Sequence, residues 1–229
     1  MGICRGSYPL VLLRLAQKMK PSLHILTTCF RIQNLPELAK HILPSKDLFD
    51  LTWHIVFDGT KVPRERLKWF EPVLNLPHVK HSWVGQLPFW GDTKIHPDFN
   101  PNWSPCVTAA NALIWEVDSG WIWINDDDSI AHPNFFDSLR RHIDERPDLK
   151  GWIFAMEGRG WKRTVNPTNV RVGQIDIGQY VIERSIIDDT RYVFKWGFDG
   201  MFIEEIYKRH PTLFGFDTRV LTYHNWLRK

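Results

Sequence analysis

Cysteine is scarce in this sequence. Cys4, Cys29 and Cys106 are the three in 229 residues, an odd number with no CxxC pair. That argues against a disulfide framework or a cysteine zinc site and points to a reducing, cytoplasmic setting. An excess of one charge is lacking too. Lys and Arg number 29 against 26 Asp and Glu, for a net +3 with histidine neutral. The basic residues are scattered, so no nucleic-acid tract is expected, whereas a local site for a phosphate-bearing small molecule remains compatible. Long hydrophobic runs are missing. The apolar stretch 8–13 stops at Arg14, far short of the roughly 20 residues a spanning helix needs, and no apolar core with a small-residue cleavage site marks a signal peptide. Residues 1–20 read as a loosely attached extension with at most a weak membrane-surface contact, and Met19 is a second candidate start. Internal repeats and low-complexity segments are absent as well.

What is present begins with twelve tryptophans. Their flat faces serve as core and rim filler or stack on sugar rings and bases, and composition alone does not choose between these. The periodicity is clearer. Residues 23–28 form a short β-branched run, then Leu35, Leu38, Ala39, Ile42 and Leu43 recur at helical spacing behind Pro36, and residues 51–57 form a second buried run closed by Asp58-Gly59-Thr60. Strand, helix, strand at this spacing is a βαβ unit. Further along, the pattern predicts a short helix within 61–78, a strand over 79–84 and a long proline-rich loop over 85–105. A helix over 107–115, a strand over 121–125 and a helix from Pro133 to about Ile143 follow. The last elements expected are strands over 151–156 and 175–182 and a helix over 199–209. The alternation argues for a single-domain α/β fold, a Rossmann-like, mostly parallel sheet flanked by helices. Ligands bind beyond the carboxyl ends of such strands, and three polar clusters fall there: Thr27-Thr28, Asp58-Gly59 and Asp126-Asp127-Asp128.

Three adjacent carboxylates after a buried strand repel one another and raise one another's pKa. A hard divalent ion relieves that repulsion, and carboxylate oxygens at about 2.1 Å suit Mg²⁺ or Mn²⁺. Neighbouring strand residues face opposite ways, so Asp126 and Asp128 share a side and Asp127 points elsewhere as support. Asp128 is then expected on the metal, and Asp126 on the metal or a ribose. The alternative is a solvated acidic turn capping the helix near Pro133.

At this point the sequence resembles the glycosyltransferases of the GT-A fold, similar to the family 2 enzymes and, in its later half, to the glucuronyltransferases. The resemblance runs over residues 21–226 in the order of its motifs: the opening stretch 23–31, Phe57-Asp58-Gly59, Ala110-Asn111-Ala112-Leu113, the run from Trp121 to Asp128, residues 172–179, Gly197-Phe198-Asp199-Gly200 and Tyr223-His224-Asn225. Ala110 replaces an arginine frequent in the family, and Phe198-Asp199 replaces its Glu-Asp pair. The resemblance implies one GT-A domain over 21–229, with a nucleotide-binding half over 21–128 and an acceptor-binding half over 129–229. It implies a nucleotide diphosphate sugar as donor, a UDP-sugar by preference, a glycan or other hydroxyl acceptor, and Mn²⁺ or Mg²⁺ as cofactor. On the donor side it implies Thr27, Thr28, Arg31, Asp58, Asn111, Asp126 and Asp127. It places the metal on Asp126, Asp128 and His224, and the catalytic base at Asp199.

Each residue also has a plainer reading. Asp199 suits a helix N-cap, or a base that takes the acceptor hydroxyl's proton. Asp58 before glycine is a common turn aspartate, or a partner for a uracil N3–H. His224, Asp176 and Asn111 each suit a structural role equally. Glu204 and Glu205 are reserve bases. The glycine-broken segment from Glu157 to Arg163, with Arg159, Trp161, Lys162 and Arg163, is either a loop that closes over a sugar diphosphate or a solvated basic loop. Trp90, Trp103 and Trp196 suit acceptor stacking or core packing. Two rival functions remain: a metal-dependent phosphohydrolase or nucleotidyltransferase, and a carbohydrate-binding module, which the βαβ pattern disfavours.

Overall fold

A computed structural model describes residues 19–59, 61–84 and 104–228. Trp90, Trp103, the loop proposed over 85–105 up to residue 103, and all but the last two residues of the 1–20 extension lie outside the described residues. The elements run β1 (Ser22–Cys29), α1 (Leu35–Ile42), β2 (Asp50–Asp58), α2 (Glu71–Leu74), β3 (Val79–Val84), α3 (Ser104–Glu116), β4 (Trp121–Ile124), β5 (Ile130–Ala131), α4 (Phe135–Glu145), β6 (Gly151–Gly158), β7 (Trp161–Arg163), β8 (Tyr180–Glu183), α5 (Phe198–Arg209) and β9 (Phe214–Tyr223). Among the described residues nine strands form one sheet in the order β3-β2-β1-β4-β8-β6-β9-β5, with β7 on β6.

The βαβ unit forms as its spacing predicts: β1 pairs parallel with β2 from Ser22↔Asp50 to Cys29↔Phe57, and β2 pairs parallel with β3. β4 inserts on the other side of β1, again parallel. The four strands β3-β2-β1-β4 are therefore parallel throughout. Beyond β4 the sheet is mixed, with β8 antiparallel to both β4 and β6 and β9 parallel to β6.

The sheet is covered on both faces, and β4 shows how its sequence serves both. Trp121 and Trp123 pack with α1 and α4, while Ile122 and Ile124 pack with α3 and α5. Strand alternation sends neighbours to opposite faces, so a strand buried on both must be apolar at every position. Trp123 is fully buried against the Phe135 ring, 4.6 Å between centroids, and its indole N–H donates to the Gly178 carbonyl at 3.1 Å. Gly120 makes the entry to β4 possible: its φ is +97°, and a Cβ there would stand 2.8 Å from the Ser22 Cβ.

Several elements differ from the sequence pattern. The 61–78 helix breaks into a 3₁₀ segment (Arg64–Phe70) and the single turn α2. The helix expected from Pro133 starts at Phe135, two residues later. The strand expected over 175–182 forms only from Tyr180, because Asp176 caps a 3₁₀ turn over Ile177–Gln179. β9 has no clean period-two signal in the sequence. Its register against β6 shifts around Ala155, and at that irregularity it carries Asp217 and Arg219, which pair with each other.

Candidate active site

The carboxyl ends of β1 and β4 open into a cleft of about 810 Å³. β1 delivers Phe30 and Arg31, and the segment after β4 delivers Asp126, Asp127 and Asp128. The turn before β8 delivers Asp176, the start of α5 delivers Asp199, the hairpin partner β7 delivers Arg163, and the turn after β9 delivers His224 and Asn225. Residues from opposite ends of the chain, Phe30 and Asn225 among them, thus meet because the sheet order folds β9 back beside β6.

The triplet does not continue the strand. Buried Asn125 donates to the Asp126 carbonyl at 3.1 Å and the Ser129 carbonyl at 2.8 Å, and Ser129 N–H donates to the Asp126 carbonyl at 3.3 Å, which closes the chain into a turn. The three carboxylates therefore follow turn geometry instead of alternating, and Asp127 and Asp128 both reach the Arg31 guanidinium. Asp127 is the satisfied one: it accepts from the backbone N–H of Phe30 at 2.6 Å, from the Arg31 N–H, and from the Arg31 guanidinium at 2.6 Å. Asn34 donates to its carbonyl at 3.0 Å. Asp128 also takes the Arg31 guanidinium, at 3.0 Å. Among the described residues Asp126 has no ion pair or side-chain hydrogen bond; burial and the carboxylates of Asp128, Asp176, Asp127 and Asp199 push its pKa well above the usual range.

Opposite the triplet, Asp199 is the second residue of α5. The N-cap reading of Asp199 does not hold, since Gly197 takes that position at φ +74°. The Asp199 carboxylate accepts from the Gly200 N–H at 2.8 Å. Burial, then the adjacent Asp176 carboxyl, raises its pKa to about 7. Asp176 itself accepts from Ile177 N–H at 2.9 Å and from Arg163 at 3.1 Å. Cys106 lines the floor, where burial pushes its thiol pKa up and keeps it protonated.

The other sequence candidates divide by placement. Thr27 and Thr28 are buried and do not line the cleft, and the Thr27 hydroxyl accepts from the Trp53 indole at 3.0 Å. Asn111 clamps the backbone of Tyr192 from both sides, donating to its carbonyl at 3.0 Å and accepting from its N–H at 2.9 Å, and it does not line the cleft. Asp58 is buried at the end of β2 and does not line the cleft. Lys61, which does, stands 4.0 Å from its carboxylate. Glu204 is committed to Val172 N–H and Lys208, and Glu205 faces Arg209. The segment from Glu157 to Arg163 is an ordered hairpin, with Arg163 lying over the Trp161 ring and Arg159 donating to the Trp226 carbonyl. Trp196 stands 65% exposed at the cleft wall. Sequence reasoning missed Lys61 and Arg228 on the wall; both follow turns, where no periodicity marks a side chain's direction.

Among the described residues no three His, Cys, Asp or Glu side chains are already gathered as a metal shell, and Arg31 holds the place of a cation beside Asp128. The donor chemistry nevertheless fits a divalent ion. Asp126 is uncompensated in a wall of carboxylates, and His224 Nδ1 is buried with no hydrogen-bond partner, 3.8 Å from Asp176 Oδ2. Among the described residues no helix is long and apolar enough to cross a membrane.

No family model and no curated protein matches this sequence. Solved structures do. TarS 1–349 of S. aureus is 13% identical with a TM-score of 0.58 over 88% of this chain, and this chain spans 60% of its length. TarS has also been solved with UDP and with UDP-GlcNAc. Glucosyl-3-phosphoglycerate synthase of Mycobacterium tuberculosis, with Mg²⁺ and UDP, is 13% identical with a TM-score of 0.59 over 95% of this chain and 76% of its own. The mannosyltransferase PcManGT of Pyrobaculum calidifontis, with GDP-Man and Mn²⁺, is 10% identical with a TM-score of 0.55 over 91% of this chain and 58% of its own. The fold is that of GT-A nucleotide-sugar glycosyltransferases, as the sequence motifs imply.

Proposed function

We propose that this protein is a metal-dependent glycosyltransferase that moves a hexose from a nucleotide diphosphate sugar to an acceptor hydroxyl with inversion. The observation that carries the reading is the convergence of Asp126, Asp176, Asp199 and the bare His224 Nδ1 on one cleft at the carboxyl ends of β1 and β4, in a fold whose solved examples include transferases bound to UDP-GlcNAc and GDP-Man. On this reading residues 21–128 form the donor half and residues 129–229 the acceptor half. Arg31 and Lys61 face the diphosphate, and the UDP and UDP-GlcNAc complexes of TarS favour a UDP-sugar as donor.

Asp126, Asp128 and His224 would hold Mn²⁺ or Mg²⁺, which neutralises the leaving diphosphate as a Lewis acid. Asp128 becomes available when Arg31 turns from it to the diphosphate, a bidentate partner suited to a guanidinium. Asp127 keeps Phe30 and Arg31 in register with the triplet. Asp199 removes the acceptor proton; a carboxyl raised to about 7 is matched to that task near neutral pH. Asp176, held by Arg163, keeps Asp199 basic enough to do so. Trp196 offers the acceptor a flat apolar face at the cleft wall.

The test is thermal shift with UDP, GDP and their sugars, with and without Mn²⁺, followed by a transfer assay on the sugar nucleotide that stabilises most. Stabilisation by a nucleoside diphosphate that requires Mn²⁺ is expected. Hydrolysis of the sugar nucleotide without acceptor, as fast as transfer, would favour the phosphohydrolase reading instead.

A further inference from the structure

The turn after β9 contains a residue that neither the sequence pattern nor the metal reading singles out. Asn225 adopts a left-handed backbone, φ +53°, right beside His224. The hydrogen-bond network assigns its amide orientation: the NH₂ donates to both Asp128 oxygens at 3.0 Å, and the amide oxygen accepts from His224 Nε2 at 2.6 Å. The turn is pinned on both sides. Asn225 N–H donates to the Ser129 hydroxyl at 3.2 Å, Leu227 N–H to the Asp128 carbonyl at 2.9 Å, and His224 N–H to the Glu157 carbonyl at 2.8 Å. The imidazole has little freedom, with the Trp161 ring 5.5 Å from it.

We infer that Asn225 is a positioning residue that fixes His224 as its Nε2–H tautomer, so that the bare Nδ1 lone pair is the atom His224 presents to the cleft. The amide oxygen is an acceptor with no proton to offer, so the short contact at Nε2 requires the proton to sit there. The other nitrogen is then a pure acceptor, and the structure leaves it buried, without a donor, 3.8 Å from Asp176 Oδ2. A lone pair and a carboxylate are both acceptors and do not hydrogen-bond to each other, so the described residues leave Nδ1 open to a cation. Through the same amide, Asn225 ties the orientation of His224 to that of Asp128. A partner that orients a metal-binding imidazole through its other nitrogen typically changes metal affinity by 10- to 100-fold.

The tautomer stands apart from the metal reading of the proposed function, on which its consequence for affinity rests. In metal-free protein labelled with ¹⁵N-histidine at pH 8, the two-bond proton–nitrogen pattern of His224, assigned by its loss in His224→Gln, should show the proton on Nε2. Asn225→Gly keeps the backbone conformation, which glycine adopts freely, and should release His224 to the other tautomer or to a mixture. Mn²⁺ binding followed by the electron paramagnetic resonance of the free ion should weaken 10- to 100-fold in Asn225→Gly. A proton on Nδ1 in the wild-type protein, or an unchanged tautomer in Asn225→Gly, would overturn the inference. The expected tautomers in a protein that binds no Mn²⁺ would uphold it while removing the metal from the proposed function.

Discussion

The two halves of the cleft handle their polar groups in opposite ways. On the β1–β4 side, three polar side chains that the sequence pattern put in the site are consumed by the fold. Thr27 takes the Trp53 indole, Asn111 closes on Tyr192, and Asp127 collects Phe30 and Arg31. On the side built by Asp176, Asp199 and the turn after β9, the groups are left in excess: carboxylates face carboxylates and His224 Nδ1 has no donor. Burying an unsatisfied or like-charged group costs free energy, so it persists where something other than stability maintains it. The difference separates polar residues that shape the cleft from those that would act in it.

The largest effect that could break this contrast lies at Asp199. If it is the base, Asp199→Asn lowers kcat for sugar transfer by about 10²- to 10⁴-fold while leaving Mn²⁺-dependent nucleotide binding intact. Full turnover in that variant, measured by product formation, would move Asp199 to the structural side. Its titration offers an independent check. The folded-state pKa of about 7 lies above the ordinary carboxyl value, so the protonated form is the one the fold prefers. The corresponding stability is complete below about pH 4 and is lost as the pH rises towards 7. The melting temperature of the metal-free protein should therefore fall over that window, less steeply in Asp199→Asn, and Mn²⁺ should counter the fall if it compensates the same carboxylates.

A core substitution sharpens the comparison from the other direction. Trp123 belongs to the scaffold beneath the triplet, fully buried between Phe135 and Phe136. Trp123→Ala should cost about 3–5 kcal/mol of stability, the range for emptying an aromatic core site, read as a lower midpoint in urea denaturation. Asn111→Ala comes next. It strands the N–H and carbonyl of Tyr192, at about 1–3 kcal/mol for buried backbone groups left unpaired. Because Asn111 faces Tyr192 and does not line the cleft, the KM for the sugar nucleotide should be unchanged once the variant is folded.

The same division explains what could be read from the sequence. β1, α1, β2, β3 and β4 carry their own periodicity and pair in parallel within one stretch of chain, so strand ends and the triplet's place after Trp121–Ile124 were legible. The second half is assembled by distant partners. β9 returns beside β6 with a register irregularity and charged Asp217 and Arg219 in its middle, which erases the alternation that marks a strand. Residues such as Asp126, Asp199 and His224 could be named because they sit in motifs that resemble a known fold. Their partners could not. That Asp127 faces Phe30 and Arg31 follows from the Asn125 turn, and that Asn111 faces Tyr192 follows from packing across 81 positions.

The smallest effect tests the contrast at its weakest point. Thr27 sits at the end of β1, beside the residues that enter the cleft, and a hydroxyl there was expected to touch the donor. Its environment says otherwise: the side chain is fully buried and its oxygen is taken by the Trp53 indole N–H. Thr27→Val keeps the β-branched shape the strand favours and removes only that acceptor, so the indole proton is left without a partner at a cost of about 1 kcal/mol. The melting temperature should drop slightly. The KM for the sugar nucleotide and the affinity for Mn²⁺ should stay at wild-type values, because no group that faces the cleft has changed. A raised KM with unchanged stability would mean that the hydroxyl reaches the donor after all, and that the β1–β4 side is a working surface as well as a scaffold.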